Sequence, residues 1–178
     1  MLPVVHPGLA YLVYTGWTHL TSGRPPGGLA TLALVGGALL PDLIDQPLYF
    51  LLPLPSTRTL AHSLLVAVPV TVVVVVAVRR SSLSNTVGNG FAIGYLSHPI
   101  ADAFWPLLLG KHAELGFLLW PLTESPAYEG EKALFVVGDV TVTTWWPELG
   151  LLALATVVWW LDGKPGITAV VELLEGSQ

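Results

Sequence analysis

From Leu29 to Leu52 the chain carries no charged or amide side chain except Asp42, Asp45 and Gln46, and from Val70 to Val78 only Thr71 and Ala77 interrupt a run of valine. Runs of this kind leave few foldable choices. A helix of about 20 apolar residues matches the hydrocarbon thickness of a bilayer. The β-branched run would favour a strand in water. In lipid, however, a helix satisfies its own backbone hydrogen bonds, so the expected structure is helical throughout. The remaining composition points the same way. Of 178 residues, 53% are apolar and 11% charged, with a mean hydropathy of +0.68, whereas soluble domains carry about 25% charged residues.

The expected fold class is therefore all-α, a polytopic transmembrane bundle of about five helices in one integral membrane domain spanning residues 1–178. The segments run from about Pro3 to Leu20, Leu29 to Leu52, Leu60 to Val78, Val87 to Leu109 and Thr144 to Leu161. Thr21 to Gly28 reads as a loop, and Pro41 and Pro47 are expected to kink or break the second segment. Residues from about 110 to 143 read as loop or short interfacial helices. Trp120, Trp145 and Trp146 suit an interfacial belt, and the last dozen residues suit a short amphipathic helix. The first segment lacks a basic n-region, so it is expected to be retained as a helix. The chain has no cysteine and a net charge of -5 without a basic stripe. Disulfides, thiol nucleophiles and nucleic-acid partners are therefore not expected.

The informative residues are the ionisable ones inside these apolar segments: His6, Asp42, Asp45, His62, His98 and Asp102. Ionisable groups at membrane depth are costly and mark functional sites. His6 and His62 open segments one and three, while the aspartates and His98 fall in the second halves of segments two and four. With alternating helix directions, all six meet at one end of the bundle. Asp42 and Asp45 are spaced i, i+3, and His98 and Asp102 i, i+4, so each pair shares a helix face. Ligands projecting from facing helices are how bundles build metal centres.

Mixed imidazole and carboxylate donors favour zinc, with manganese or iron as alternatives. The donor count leaves room for one or two ions, and two-metal centres commonly hydrolyse phosphoesters. Each residue also has a plainer reading. Asp42 suits an N-cap after Pro41, and His98 suits a kink before Pro99. His112 and Glu114 sit just beyond segment four as further donors or surface groups, and His19 lies at the wrong end. Arg24, Arg79, Arg80 and Lys164 fall on one side, against Arg58, Lys111 and Lys132 on the other. The excess of basic residues makes the first side cytoplasmic and the His/Asp end extracytoplasmic.

In its motifs the chain resembles the YdjM-like family of membrane-bound metal-dependent hydrolases, also described as LexA-binding inner-membrane proteins. The likeness rests on His6-Pro7-Gly8, Leu40-Pro41-Asp42-Leu43-Ile44-Asp45, Arg58-Thr59-Leu60-Ala61-His62-Ser63, Gly94 through Asp102, and Leu119-Trp120-Pro121. It implies that these His and Asp positions bind metal. Their order is also similar to zinc phospholipases C. That likeness implies that Asp42, His62, His98 and Asp102 hold one ion while His6 helps to hold another. The chain departs from those enzymes in beginning with Met rather than Trp. It also lacks a distal His/His/Glu set unless His112 and Glu114 contribute.

The expected function is thus hydrolysis of a phosphoester in a lipid or lipid-linked substrate at the inner membrane. Asp45 and Arg58 are the candidate catalytic residues, Asp45 binding a second ion or orienting the first, and Arg58 neutralising phosphate. Membrane lipids are the expected surroundings. A metal-ion transporter or sensor, and a regulatory scaffold with a structural metal, are the alternatives. A transporter requires a polar path to the other face.

Overall fold

The computed structural model describes residues 2–54, 56–126 and 142–175. They form helices α1 (Val5–Ser22), α2 (Gly28–Leu51), α3 (Leu64–Arg80), α4 (Asn85–Leu108), α5 (Val142–Leu161) and α6 (Ile167–Glu175), with a 3-10 helix at His112–Leu119 between α4 and α5. There is no strand among the described residues. Most of the segment between the 3-10 helix and α5 lies outside them, and with it Lys132.

The five long helices correspond to the five apolar segments. By length and hydropathy, α2 alone among the described helices meets the measure of a membrane span, and α5 carries a shorter apolar stretch at Trp146–Leu161. The other helices fall short for visible reasons. α3 has 17 residues, and α1 and α4 carry polar side chains that they bury. The valine run is helical, with Val72, Val73 and Val76 exposed on the outside of the bundle. α2 runs unbroken through Pro41 and Pro47.

The central pair is α2 and α4, which pack in parallel and in step. A methyl group added at Gly90 would strike the carbonyl of Ala30, and one at Gly94 the carbonyl of Leu34. Small residues at these turns let the two backbones approach. Continuing the same step places His98 beside Ala38, and then Asp102 near the level of Asp42. α3 packs on α4, α1 against α2, α4 and α5, and the 3-10 helix covers the ends of α3 and α4. Ala10, Leu34 and Ala38, all fully buried, form an apolar layer beneath the polar end.

Most boundaries fall within two residues of the sequence reading, and one differs by a full turn. Helix α3 begins at Leu64, so His62 lies in the turn before it rather than in its first turn. The cause is a long-range contact. The Asp45 carboxylate accepts the backbone N–H groups of Thr59, Ala61 and His62, at 2.9, 2.9 and 3.2 Å. This holds the turn in a non-helical shape until Ser63 caps α3, its hydroxyl oxygen accepting from the Leu65 N–H.

Candidate metal centre

Helices α1, α2 and α4 and the turn before α3 each bring polar side chains to one buried point. His62 and His98 are fully buried, and His6 and Asp102 are nearly so. The His98 ring nitrogen Nδ1 lies 2.6 Å from the carbonyl oxygen of Ala38. A carbonyl accepts only, so Nδ1 carries the proton and Nε2 presents its lone pair. His62 is fixed in the same way: Nδ1 donates to Asp45 Oδ2 at 2.8 Å, leaving Nε2 as the free acceptor. The two Nε2 atoms then face each other at 3.1 Å. Two lone pairs so placed repel unless a proton or a metal cation lies between them.

The carboxylates complete the surroundings. His62 Nε2 is 3.6 Å from Asp42 Oδ1 and 3.5 Å from Asp102 Oδ2. His98 Nε2 is 3.9 Å from Asp42 Oδ2 and 3.8 Å from Asp102 Oδ2. Zinc–ligand bonds of about 2.0–2.1 Å set neighbouring donors about 3.3 Å apart on a tetrahedron. The separations among His62, His98 and each carboxylate lie within about 0.6 Å of that spacing, with Asp42 and Asp102 in different donor groups. Asp42 Oδ2 is buried without a hydrogen-bond partner among the described residues. Such an orphaned acceptor is costly and points to a cation. Two overlapping groups, Asp42–His62–His98 and His6–His98–Asp102, have ligand atoms close enough to hold a metal ion. His6 joins the second group with Nε2 at 3.5 Å from Asp102 Oδ1 and its ring stacked on His98 at 3.7 Å.

Asp45 stands apart from both groups. It lies behind His62, where its two oxygens are engaged by the backbone of the 59–62 turn and by the imidazole. Arg58 lies at the centre itself. Its Nε donates to Asp102 Oδ2 at 2.8 Å and its guanidinium sits over Phe117. About a third of its side chain is exposed, so the cation bridges the buried carboxylate and the surface. His112 is exposed and Glu114 pairs with Lys111 at 3.3 Å; neither is in the two metal-capable groups. His19 pairs with Asp162.

Several contributors are not evident from the sequence. Gln46 donates to Asp42 Oδ1 at 2.8 Å, one turn further along α2. Tyr95 donates to the Ala61 carbonyl at 3.0 Å and steadies the His62 turn. Phe117 of the 3-10 helix meets the His62 ring edge-on and covers it. Gln46 alone had a local signal, the i, i+4 spacing from Asp42.

No curated protein and no solved structure matches the chain. The sequence pattern of the family described as YdjM inner membrane protein matches residues 1–172. Together with the helical bundle and its His/Asp cluster, that match over nearly the whole length places the chain in the YdjM inner membrane protein family.

Proposed function

We propose that the chain is a membrane-embedded metal-dependent hydrolase of phosphoesters in lipid or lipid-linked substrates, its centre facing the extracytoplasmic side. The observation that carries this reading is the pair of imidazole nitrogens facing each other at 3.1 Å between two carboxylates. Asp42, His62, His98 and Asp102 would hold a divalent ion, with zinc the best match to the donors and His6 beside Asp102 available to a second. When bound, such an ion polarises a phosphoryl oxygen and lowers the pKa of water.

The chain's own residues prepare that chemistry. Asp45 and the Ala38 carbonyl fix which nitrogen each histidine presents, the usual task of groups behind metal ligands. Arg58 offers a guanidinium at the mouth, where a phosphate anion would be drawn. Leu43, Ile100 and Phe104 are all exposed on the turns that carry Asp42 and Asp102, which suits a substrate with hydrocarbon tails. The layer directly beneath the centre, Ala10, Leu34 and Ala38, is apolar, which favours a hydrolase over a transporter even though Tyr11, Thr15 and Asp162 form a polar group further along.

The deciding experiment is elemental analysis of detergent-purified protein beside His98→Ala and Asp42→Ala, followed by a phosphoester screen. About one or two zinc or manganese ions per chain, lost in both variants, are expected, with hydrolysis lost in parallel. A parent that takes up no metal after reconstitution, or variants as active as the parent, would sink the reading.

A further inference from the structure

Glu148 is a carboxylate of α5, a helix that contributes no residue to the two metal-capable groups, yet it is 97% inaccessible by its relative exposure of 3%. A buried acid in a membrane protein requires a reason. Its two oxygens have separate partners. Oε2 accepts the backbone N–H of Leu2 at 2.8 Å, and Oε1 accepts the indole N–H of Trp105 at 2.9 Å. A carboxylate serves two such donors at once. A carboxamide would turn its NH2 towards one of them.

The identities of those donors matter. Leu2 lies one turn before His6, and its carbonyl receives the Val5 N–H that opens α1. Trp105 lies three residues after Asp102, on the next turn of α4. Glu148 thus joins the segment carrying His6 to the segment carrying Asp102. These are the two residues whose Nε2 and Oδ1 stand 3.5 Å apart. The close fit of α5 on α1 reinforces the joint, since a methyl group on Gly8 would meet Ala155 Cβ at 3.2 Å.

We propose that Glu148 is a positioning residue for the metal centre, setting the spacing of His6 and Asp102 from outside the ligand set. This rests on the metal-centre reading above. It means that α5 tunes the His6 side of the centre without touching an ion.

The test uses cobalt(II), whose visible absorption reports coordination geometry. Full-length detergent-purified parent, Glu148→Gln, Trp105→Phe and His98→Ala are each titrated with cobalt, and affinity is read by chelator competition. The parent is expected to bind cobalt and His98→Ala to lose it. Glu148→Gln and Trp105→Phe are expected to keep the parent's helical circular dichroism, shift the cobalt band and weaken binding about ten-fold or more. Trp105→Phe removes only the indole donor, and it decides the matter if Glu148→Gln does not fold. Parent-like bands and affinities in the folded variants would reduce Glu148 to packing while leaving the centre intact. A parent that binds neither cobalt nor zinc would overturn both readings.

Discussion

His62 Nδ1 lies 2.8 Å from Asp45 Oδ2, and that carboxylate also gathers the backbone N–H groups of Thr59, Ala61 and His62. One side chain therefore shapes the turn, places the imidazole and selects its proton position. The His62 Nε2 lone pair points at the centre because Asp45 occupies the other nitrogen. Asp45 is buried with both oxygens hydrogen-bonded, and any part it takes in the proposed chemistry would run through His62.

Asp45→Asn tests that division of labour. An amide has one acceptor oxygen where the carboxylate has two, so its NH2 opposes a backbone N–H and the proton on His62 Nδ1 loses its anionic partner. Metal affinity is expected to fall about 10- to 100-fold, as for other groups behind metal ligands, with the same stoichiometry at saturating metal. Competition against a chromogenic chelator measures it. Unchanged affinity would show that His62 is held by the backbone alone.

Arg58→Gln should move two quantities in opposite directions. The guanidinium sits on Asp102 at 2.8 Å and competes there with any incoming cation. Removing it is expected to tighten metal binding while slowing phosphoester turnover. Arg58→Lys keeps the charge but not the planar fork, and so should fall between the two. A variant with weaker metal binding would mean that Arg58 supports the ligand cage instead.

The sequence made the bundle legible because its signals are local. Apolar segments of span length, the loop at Thr21 to Gly28 and the i, i+4 pair at His98 and Asp102 each declare themselves within a few residues. The convergence of His6, Asp42, Asp45, His62, His98 and Asp102 follows from alternating helix directions; the structure brings five of them into the two metal-capable groups and sets Asp45 behind His62. What was not legible depends on distant backbone. The start of α3 is set by a carboxylate 14 or more residues earlier. The Ala38 carbonyl that fixes His98 is 60 residues away in sequence. Glu148 carries no local signal among its tryptophans and leucines because its partners lie at Leu2 and Trp105.

Gly94→Ala probes the α2–α4 contact that brings Asp42 to His98. The added methyl would run into the Leu34 carbonyl and the backbone of Ala38, neither of which is a flexible chain end. A loss of about 1–3 kcal/mol is expected, as for other overpacked sites, together with weaker metal binding. Gly16→Ala, with nothing within 4 Å of the new methyl, is the control and should not destabilise. Thermal melting in detergent distinguishes them. Equal melting temperatures would mean that α2 and α4 separate freely.

Asp162, just past the end of α5, ties that helix to α1. It accepts from the Tyr11 hydroxyl and the Thr15 hydroxyl, both at 2.6 Å, and pairs with His19 Nε2 at 2.9 Å. Burial alone would raise its pKa, but the bonds from Thr15, Tyr11 and His19 outweigh it and hold the carboxyl below its ordinary range. A carboxyl lowered in the folded state binds a proton more readily when the chain unfolds. Its contribution is therefore complete above the unfolded value of about 3.9 and lost as pH falls through the lower folded one. Asp162→Asn is accordingly expected to melt below the parent at pH 7, with the gap narrowing as pH drops below 4. Melting both proteins at pH 7, 5 and 3.5 reads the trend. A gap that stays constant across that range would show that the tie depends on shape and neutral hydrogen bonding rather than on the carboxylate charge.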